Sequence, residues 1–145
     1  MLAVWRGENG GGRWAQGGRS SYLLHIFLWI LQVMLALHTA MGAVWKFSHS
    51  VVQTMPSLKA IPQSAWLAMS VFELLVSVGL ILPAVAKPLG FLAPIGAACI
   101  AVEMLLFCAL HLNSGDGTFG PICYWLVVAA ICGFVAHGRF VVRPL

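Results

Sequence analysis

The sequence has very few charged side chains: only 8% of its 145 residues are Asp, Glu, Lys or Arg, and only four of them are acidic. Hydrophobic residues make up 61% of the chain, and the mean hydropathy is +0.93. Soluble globular domains carry about 25% charged residues, so this composition excludes an ordinary soluble domain. The sequence therefore predicts an integral membrane protein.

The sequence also lacks the motifs of several other protein classes. It contains no HxxxH or CxxC pair for zinc, no haem-ligand pair, no iron–sulfur motif and no flavin fingerprint. Residues 1–21 hold six glycines and three arginines but no apolar core as long as a signal peptide requires. The basic residues form no cluster of the kind that binds nucleic acid. We therefore expect no metal site, no nucleic-acid partner and a flexible N-terminal tail over residues 1–21.

Four apolar segments are long enough to cross a bilayer, namely residues 22–45, 65–82, 89–112 and 119–136. At ~1.5 Å per residue they reach about 27–36 Å, which matches a hydrocarbon core of ~30 Å. The short connections favour antiparallel neighbours, so the predicted fold class is all-α, a four-transmembrane-helix antiparallel bundle. We expect one transmembrane domain over residues 22–140 and a short C-terminal tail over residues 141–145.

The distribution of basic residues predicts the orientation of the bundle. Six of the eight lie before the first helix, in the second connection or after the last helix, and only Lys46 and Lys59 lie on the other side. By the positive-inside rule, both termini are then cytoplasmic. The longest connection, residues 46–64, is predicted to lie on the outer side.

Two of the four acidic residues, Glu73 and Glu103, lie in the middle of apolar segments. A charged carboxylate at the centre of a spanning helix costs about 2.5–3.5 kcal/mol, so it normally faces the bundle interior and has a partner. Counted from the predicted outer helix ends, both carboxyls lie at a depth of about 12–13 Å. Because two carboxylates at one depth repel each other, we predict that the pair holds at least one proton at neutral pH. Lys46 is the candidate to neutralise the other carboxylate.

Further polar residues follow helical spacing. In the first segment His25, Gln32, Thr39 and Lys46 recur every seven residues, the spacing that keeps one face of a helix turned toward a neighbour. We predict that the polar faces of the helices converge on a pocket in the outer half of the bundle. The candidate pocket residues are Glu73, Glu103, Lys46, His111, Gln32, Thr39, Ser70 and Tyr124.

A purely structural interpretation competes with this one. Hydrogen bonds between polar side chains commonly hold membrane helices together without binding any ligand. For Ser70 and Thr39 alone the structural interpretation is favoured, because hydroxyl groups within helices usually bond to their own backbone. His38 lies off the seven-residue face, and its role stays open.

Four short runs are distinctive together: FELL at 72–75, GLILP at 79–83, ALHL at 109–112 and FVAHGR at 134–139. With Gly42 followed by Lys46, they resemble the DoxX-like family over about residues 22–140. The resemblance implies a four-helix membrane protein, often bacterial, so we expect a multi-pass protein of the plasma membrane, the inner membrane of a bacterium. It also marks Lys46, Glu73 and His111 as characteristic polar positions. The family takes its name from a subunit of a thiosulfate:quinone oxidoreductase.

Two functional hypotheses follow. In the first, the chain is an accessory subunit of a membrane redox system whose buried acidic pocket binds quinone or carries protons, and a partner supplies the electrons. In the second, it is a nonenzymatic membrane scaffold or assembly factor that binds a membrane or peripheral protein. Apart from the quinone of the first hypothesis, no cofactor is evident. Because the sequence shows no activated nucleophile and no metal set, an accessory role is favoured over independent catalysis.

Overall fold

The computed structural model describes residues 11–142, with side chains described from Tyr22 onward. Within this range the chain forms α-helices and no strand; the helices are α1 (Gly11–Ser48), α2 (Val51–Thr54), α3 (Gln63–Ile81), α4 (Leu92–Asn113) and α5 (Gly120–His137). Four helical segments are long and apolar enough to cross a membrane: Tyr22–Ser48, Gln63–Ala84, Lys87–Asn113 and Gly120–Val142. The predicted all-α bundle of four transmembrane helices is confirmed.

The predicted domain boundaries stay predictions. Helix α1 begins at Gly11, although its candidate membrane span begins at Tyr22, the predicted start of the transmembrane domain. Residues 1–10 of the predicted N-terminal tail and residues 143–145 of the predicted C-terminal tail lie outside the described residues.

The longest connection folds onto one end of the bundle. It contains the short helix α2, which starts with a capping box: the Ser50 hydroxyl accepts the Gln53 N–H, and the Gln53 side chain accepts the Ser50 N–H. A 3₁₀ turn, Pro56–Leu58, follows. Pro62 then precedes α3 with an extended backbone, as expected for a proline at a helix start. We call this side of the molecule, with residues 49–62 and 114–119, the connection end.

The opposite side, which we call the terminal end, holds residues 82–91 and the last turn of the chain. There a π-helical turn, Gly138–Val142, continues α5. A Cβ on Gly138 would lie only 2.7 Å from a methyl group of Leu28. Glycine at this position therefore lets the end of the last span approach α1 closely.

The helices pack unequally around the bundle. Helix α1 packs mainly on α3, and α4 packs on both α3 and α5, whereas α1 and α5 contact each other much more sparsely. The small residues of α4 serve this packing, because a Cβ on Gly96 would lie 3.2 Å from the Val76 side chain of α3. The seam between α1 and α5 is thus the least tightly packed junction of the bundle.

Candidate functional site: a buried lysine and two glutamates

Three charged side chains from three helices meet inside the bundle toward the connection end. The Lys46 Nζ of α1 lies 2.6 Å from the Glu73 Oε1 of α3 and 3.1 Å from the Glu103 Oε1 of α4. All three residues are buried, with 5–7% of their surface exposed. They form the only ion pairs recorded within residues 22–142. We call them the Lys46 cluster.

The Lys46 side chain points inward, although its residue lies close to the end of its membrane span. Lysines at such positions commonly extend outward to keep the ammonium group in water. Here the ammonium group lies 4.6 Å from the ring centre of Trp66 and 5.0 Å from that of Phe107, and it donates to both glutamates. The two aromatic rings and two carboxylates therefore hold this cation inside the bundle.

Counting charges shows what the cluster can do chemically. With both carboxylates ionised it carries one net negative charge, and with one carboxyl protonated it is neutral. A net charge in a low-dielectric interior is costly, so the neutral form suits this location. The cluster therefore has the composition of a group that can take up and release one proton, and the proton predicted from the sequence stays a prediction.

A cavity of about 190 Å³ lies next to the Lys46 cluster. Lys46, Glu73 and Thr39 line it together with aromatic side chains from several elements: Trp45, Trp66, Phe107, Tyr124 and Trp125. Two buried polar atoms of lining residues have no hydrogen-bond partner among the described residues, namely Thr39 Oγ1 and Glu73 Oε2. Buried polar groups are nearly always paired, so two orphans in one cavity indicate room for a polar ligand or water.

The two serines near the cluster have ordinary structural roles. The Ser70 hydroxyl donates to the Trp66 carbonyl at 3.1 Å, and the Ser77 hydroxyl donates to the Glu73 carbonyl at 2.7 Å. Both are bonds to the preceding turn of the same helix. Ser70 is fully buried but does not line the cavity, so the structural interpretation fits it.

His111 lies near the cavity but joins other elements. Its Nε2 lies 2.8 Å from the Thr118 carbonyl, and because a carbonyl only accepts, Nε2 carries a proton. In the neutral ring, Nδ1 then accepts the Ser57 hydroxyl at 2.7 Å. His111 is completely buried and packs edge-on against Trp125. It therefore fastens the α1–α3 connection and the α4–α5 turn to the bundle behind one wall of the cavity.

Gln32 belongs to a different site, at the terminal end. Its amide donates to the Leu80 carbonyl, and its Oε1 accepts Arg139 Nε at 3.0 Å. The Arg139 guanidinium also lies 5.0 Å from the Trp29 ring centre and 3.4 Å from His25 Nδ1. We call these residues the Arg139 cluster; Arg139 is only 2% exposed.

Arg139 is not among the site residues predicted from the sequence, because its position after the last apolar segment made it one of the basic residues that predict orientation. The available signal was the seven-residue face of α1. That face continues to Gln32 and His25, beyond the reach of the Lys46 cluster, and so required a second polar partner.

Tyr124 lines the cavity, and its hydrogen-bond partner is His38, whose role the sequence left open. Its hydroxyl lies 2.5 Å from His38 Nε2, and the two rings meet edge to face at 5.7 Å. Both side chains are substantially exposed, and both line the cavity. Of the eight predicted pocket residues, the structure brings Lys46, Glu73, Glu103, Thr39 and Tyr124 together around this site.

The described residues include no group of three histidine, cysteine or acidic side chains close enough to hold a metal ion. The cavity instead combines flat aromatic walls with a few polar atoms, which is typical of sites for small organic molecules.

Comparison with models of known protein families shows which family the chain resembles. The sequence model described as the DoxX-like family matches residues 30–135, a range that includes the whole Lys46 cluster. No curated protein and no solved structure matches significantly.

Proposed function

The chain belongs to the DoxX-like family, and from that premise we propose that this membrane protein is an accessory subunit of a redox system, with a cavity for the head group of a quinone. The carrying observation is the cavity beside the Lys46 cluster, where two buried polar atoms of Thr39 and Glu73 lack partners. The size of the cavity, its aromatic lining and the acidic groups beside it support this proposal.

The size of the cavity fits one substituted ring. An engineered cavity of about 150 Å³ holds benzene, so 190 Å³ has room for a ring with small substituents. Aromatic side chains on several sides favour a flat ligand. The Thr39 hydroxyl is a free donor for a carbonyl of that ring, and Lys46 is a cation that stabilises negative charge on it.

The acidic groups fit the chemistry that such a ligand performs. Full reduction of a quinone consumes two electrons and two protons, and the electrons would come from a partner protein. Glu73 lines the cavity, and Glu103 shares the same lysine from behind it. A proton held by this pair is then one hydrogen-bond step from the cavity.

The test is mass spectrometry of lipid-soluble molecules that stay bound when the protein is purified from native membranes in mild detergent. We expect near-stoichiometric quinone in the natural protein and its loss in Glu73→Gln. Thr39→Val is the sharper variant, because it removes an unpartnered hydroxyl without a structural bond. It should fold normally and bind quinone about 5–10-fold more weakly, the worth of one hydrogen bond.

Ser77→Ala is the control, because it removes a buried hydroxyl of α3, one turn after Glu73, that does not line the cavity. It should retain quinone fully. If the natural protein retains no quinone, or if Thr39→Val and Ser77→Ala behave alike, the proposed function is wrong.

A scaffold function is the second candidate, and one observation favours it. Glu103 also lines an apolar groove on the outside of α3 and α4, together with Met69, Phe72, Val102 and Leu106. A helix of another membrane protein could pack there with a polar side chain facing Glu103. In that case Glu103→Gln should weaken copurification of a membrane protein and leave retained quinone unchanged.

A further inference from the structure

The cavity could be reached from two sides, and these two sides differ in how they are closed. Toward the connection end, the α1–α3 connection covers it through Thr54, Met55 and Leu58. Three hydrogen bonds hold this cover: Ser57 to His111, the Trp66 indole to the His49 carbonyl at 3.2 Å, and the Val51 N–H to the Gln63 side chain at 3.4 Å. Leu58 is 1% exposed. The cavity is therefore covered on the side from which a water-soluble molecule would come.

Toward the lipid, the cavity lies at the seam between α1 and α5. Its lining residues on this side are His38, Gly42 and Trp45 of α1 and Tyr124 of α5, and all of them are exposed. They lie inside the candidate spans Tyr22–Ser48 and Gly120–Val142. Exposed residues within spans face the bilayer, so this opening faces lipid.

The same seam is closed at the terminal end. There Phe27 and Phe134 meet edge to face at 6.0 Å, and Gly138 packs directly on Leu28. In the half of the seam nearer the connection end, by contrast, Tyr124 and His38 form a hydrogen bond from α5 to α1. Polar groups are costly at a lipid-facing surface. Two such groups that pair with each other across an opening form a closure, and because side-chain hydrogen bonds between membrane helices are individually weak, this closure can break and re-form.

We propose that the quinone enters and leaves this cavity sideways from the bilayer, between α1 and α5, and that the hydrogen bond of Tyr124 with His38 is the gate. The cavity holds one ring but not a long tail, so the tail of a membrane quinone stays outside in the lipid. The exposed Gly42 leaves space for that tail, because a Cβ there would meet no atom within 4 Å. This inference rests on the proposed function and specifies its ligand: a ring with an apolar tail, taken from the membrane.

The experiment follows quinone binding by stopped-flow quenching of tryptophan fluorescence, with the full chain in lipid nanodiscs, since Trp45, Trp66 and Trp125 line the cavity. The probes are a benzoquinone with a ten-carbon tail and the same ring without a tail. We expect saturable binding of the tailed probe and much weaker binding of the tailless one. Tyr124→Phe keeps the ring and opens the gate, so association and dissociation should both accelerate about fivefold, the factor for one hydrogen bond.

Gly42→Leu should abolish the fast binding phase, because the leucine would occupy the opening. Gly133→Leu is the matched control: Gly133 is also exposed, also has no atom within 4 Å of an added Cβ, and does not line the cavity. It should bind at the natural rate. Equal binding of both probes, or natural rates in both Tyr124→Phe and Gly42→Leu, would overturn the lateral route while leaving quinone binding intact. If the natural protein shows no saturable binding of either probe, the proposed function fails as well.

Discussion

The two buried basic side chains within residues 22–142, Lys46 and Arg139, have different partners. Both lie near the ends of their membrane spans, and both side chains are buried. Lys46 contacts two carboxylates, whereas Arg139 contacts an amide oxygen, an imidazole and the face of an indole. Within the described residues no carboxylate pairs with Arg139.

This difference suits the Lys46 cluster to chemistry and the Arg139 cluster to helix packing. The Lys46 cluster has two carboxyl groups for one cation and lies beside a cavity, into which the unpartnered Oε2 of Glu73 can bond. Arg139 Nη2 is also buried without a partner among the described residues, but Arg139 does not line that cavity. The Arg139 cluster joins the end of the last span to α1 through neutral groups, and none of the cavity-lining residues belongs to it. Our proposal of proton exchange therefore concerns the first cluster, whereas the contacts of the second position helices.

The largest effect is expected when the lysine is removed. Lys46→Met leaves two carboxylates close together without a cation, and breaking a buried ion pair costs about 3–5 kcal/mol of unfolding free energy. Thermal unfolding in detergent, followed by circular dichroism, measures the loss. Adding Glu73→Gln to Lys46→Met should restore part of the stability, because one of the two uncompensated acids is then neutral. Lys59→Met, at an exposed position of the connection, is the control and should change little.

A smaller loss is expected at the terminal end. Arg139→Met removes a charge-assisted hydrogen bond to Gln32 and the contact with Trp29 but leaves no opposite charge behind. The cost should be about 1.5–3 kcal/mol, and Glu73→Gln should not rescue it. Lys87→Met, at an exposed position of the same end, is the comparison. A loss as large as that of Lys46→Met would contradict the distinction between the two clusters.

The sequence predicted the fold because long apolar segments with a few charges have few alternatives in a bilayer. It also identified Glu73 and Glu103, because intramembrane carboxyls at one depth need a partner, and it named Lys46 as the cation that could neutralise one of them. Gln32 shows where this reasoning fails. Its place on the same face as Lys46 is correct, but 14 residues of helix separate the two by about 21 Å, so one face serves two sites.

Other parts of the site depend on tertiary contacts that a single sequence does not encode locally. His111 was predicted as a pocket residue, yet it bonds to Ser57 in a connection whose path no helical spacing can predict. His38 was left open because it lies off the polar face of α1. Its position beside Tyr124 becomes visible only when α5 is placed next to α1.

A third test concerns the cover of the cavity, and its expected effect is smaller than that of Arg139→Met. Ser57→Ala removes the hydroxyl that bonds to His111 and should cost about 1 kcal/mol. The readout that distinguishes a cover from general stability is amide hydrogen exchange, which should rise in residues 51–61 and not at the Arg139 cluster. Ser77→Ala, whose hydroxyl bonds only to its own helix, should leave exchange in the connection unchanged.

The smallest effect concerns Asp116, in the α4–α5 turn. The Thr118 carbonyl of the same turn accepts a hydrogen bond from His111. The Thr118 N–H donates to the Asp116 carboxylate at 3.1 Å, and this backbone hydrogen bond, together with one from the Thr118 side chain, lowers the pKa of Asp116. A carboxyl whose pKa is lower in the folded state stabilises the fold above its ordinary pKa of about 3.9, and loses that contribution as the pH falls through its folded-state pKa. The natural protein should therefore lose slightly more thermal stability than Asp116→Asn between pH 5 and pH 3. Because the side chain is fully exposed, the difference should be smaller than the effect of Ser57→Ala. Parallel stability curves for the two proteins would show that the hydrogen bonds from Thr118 to the Asp116 carboxylate add no stability to the fold.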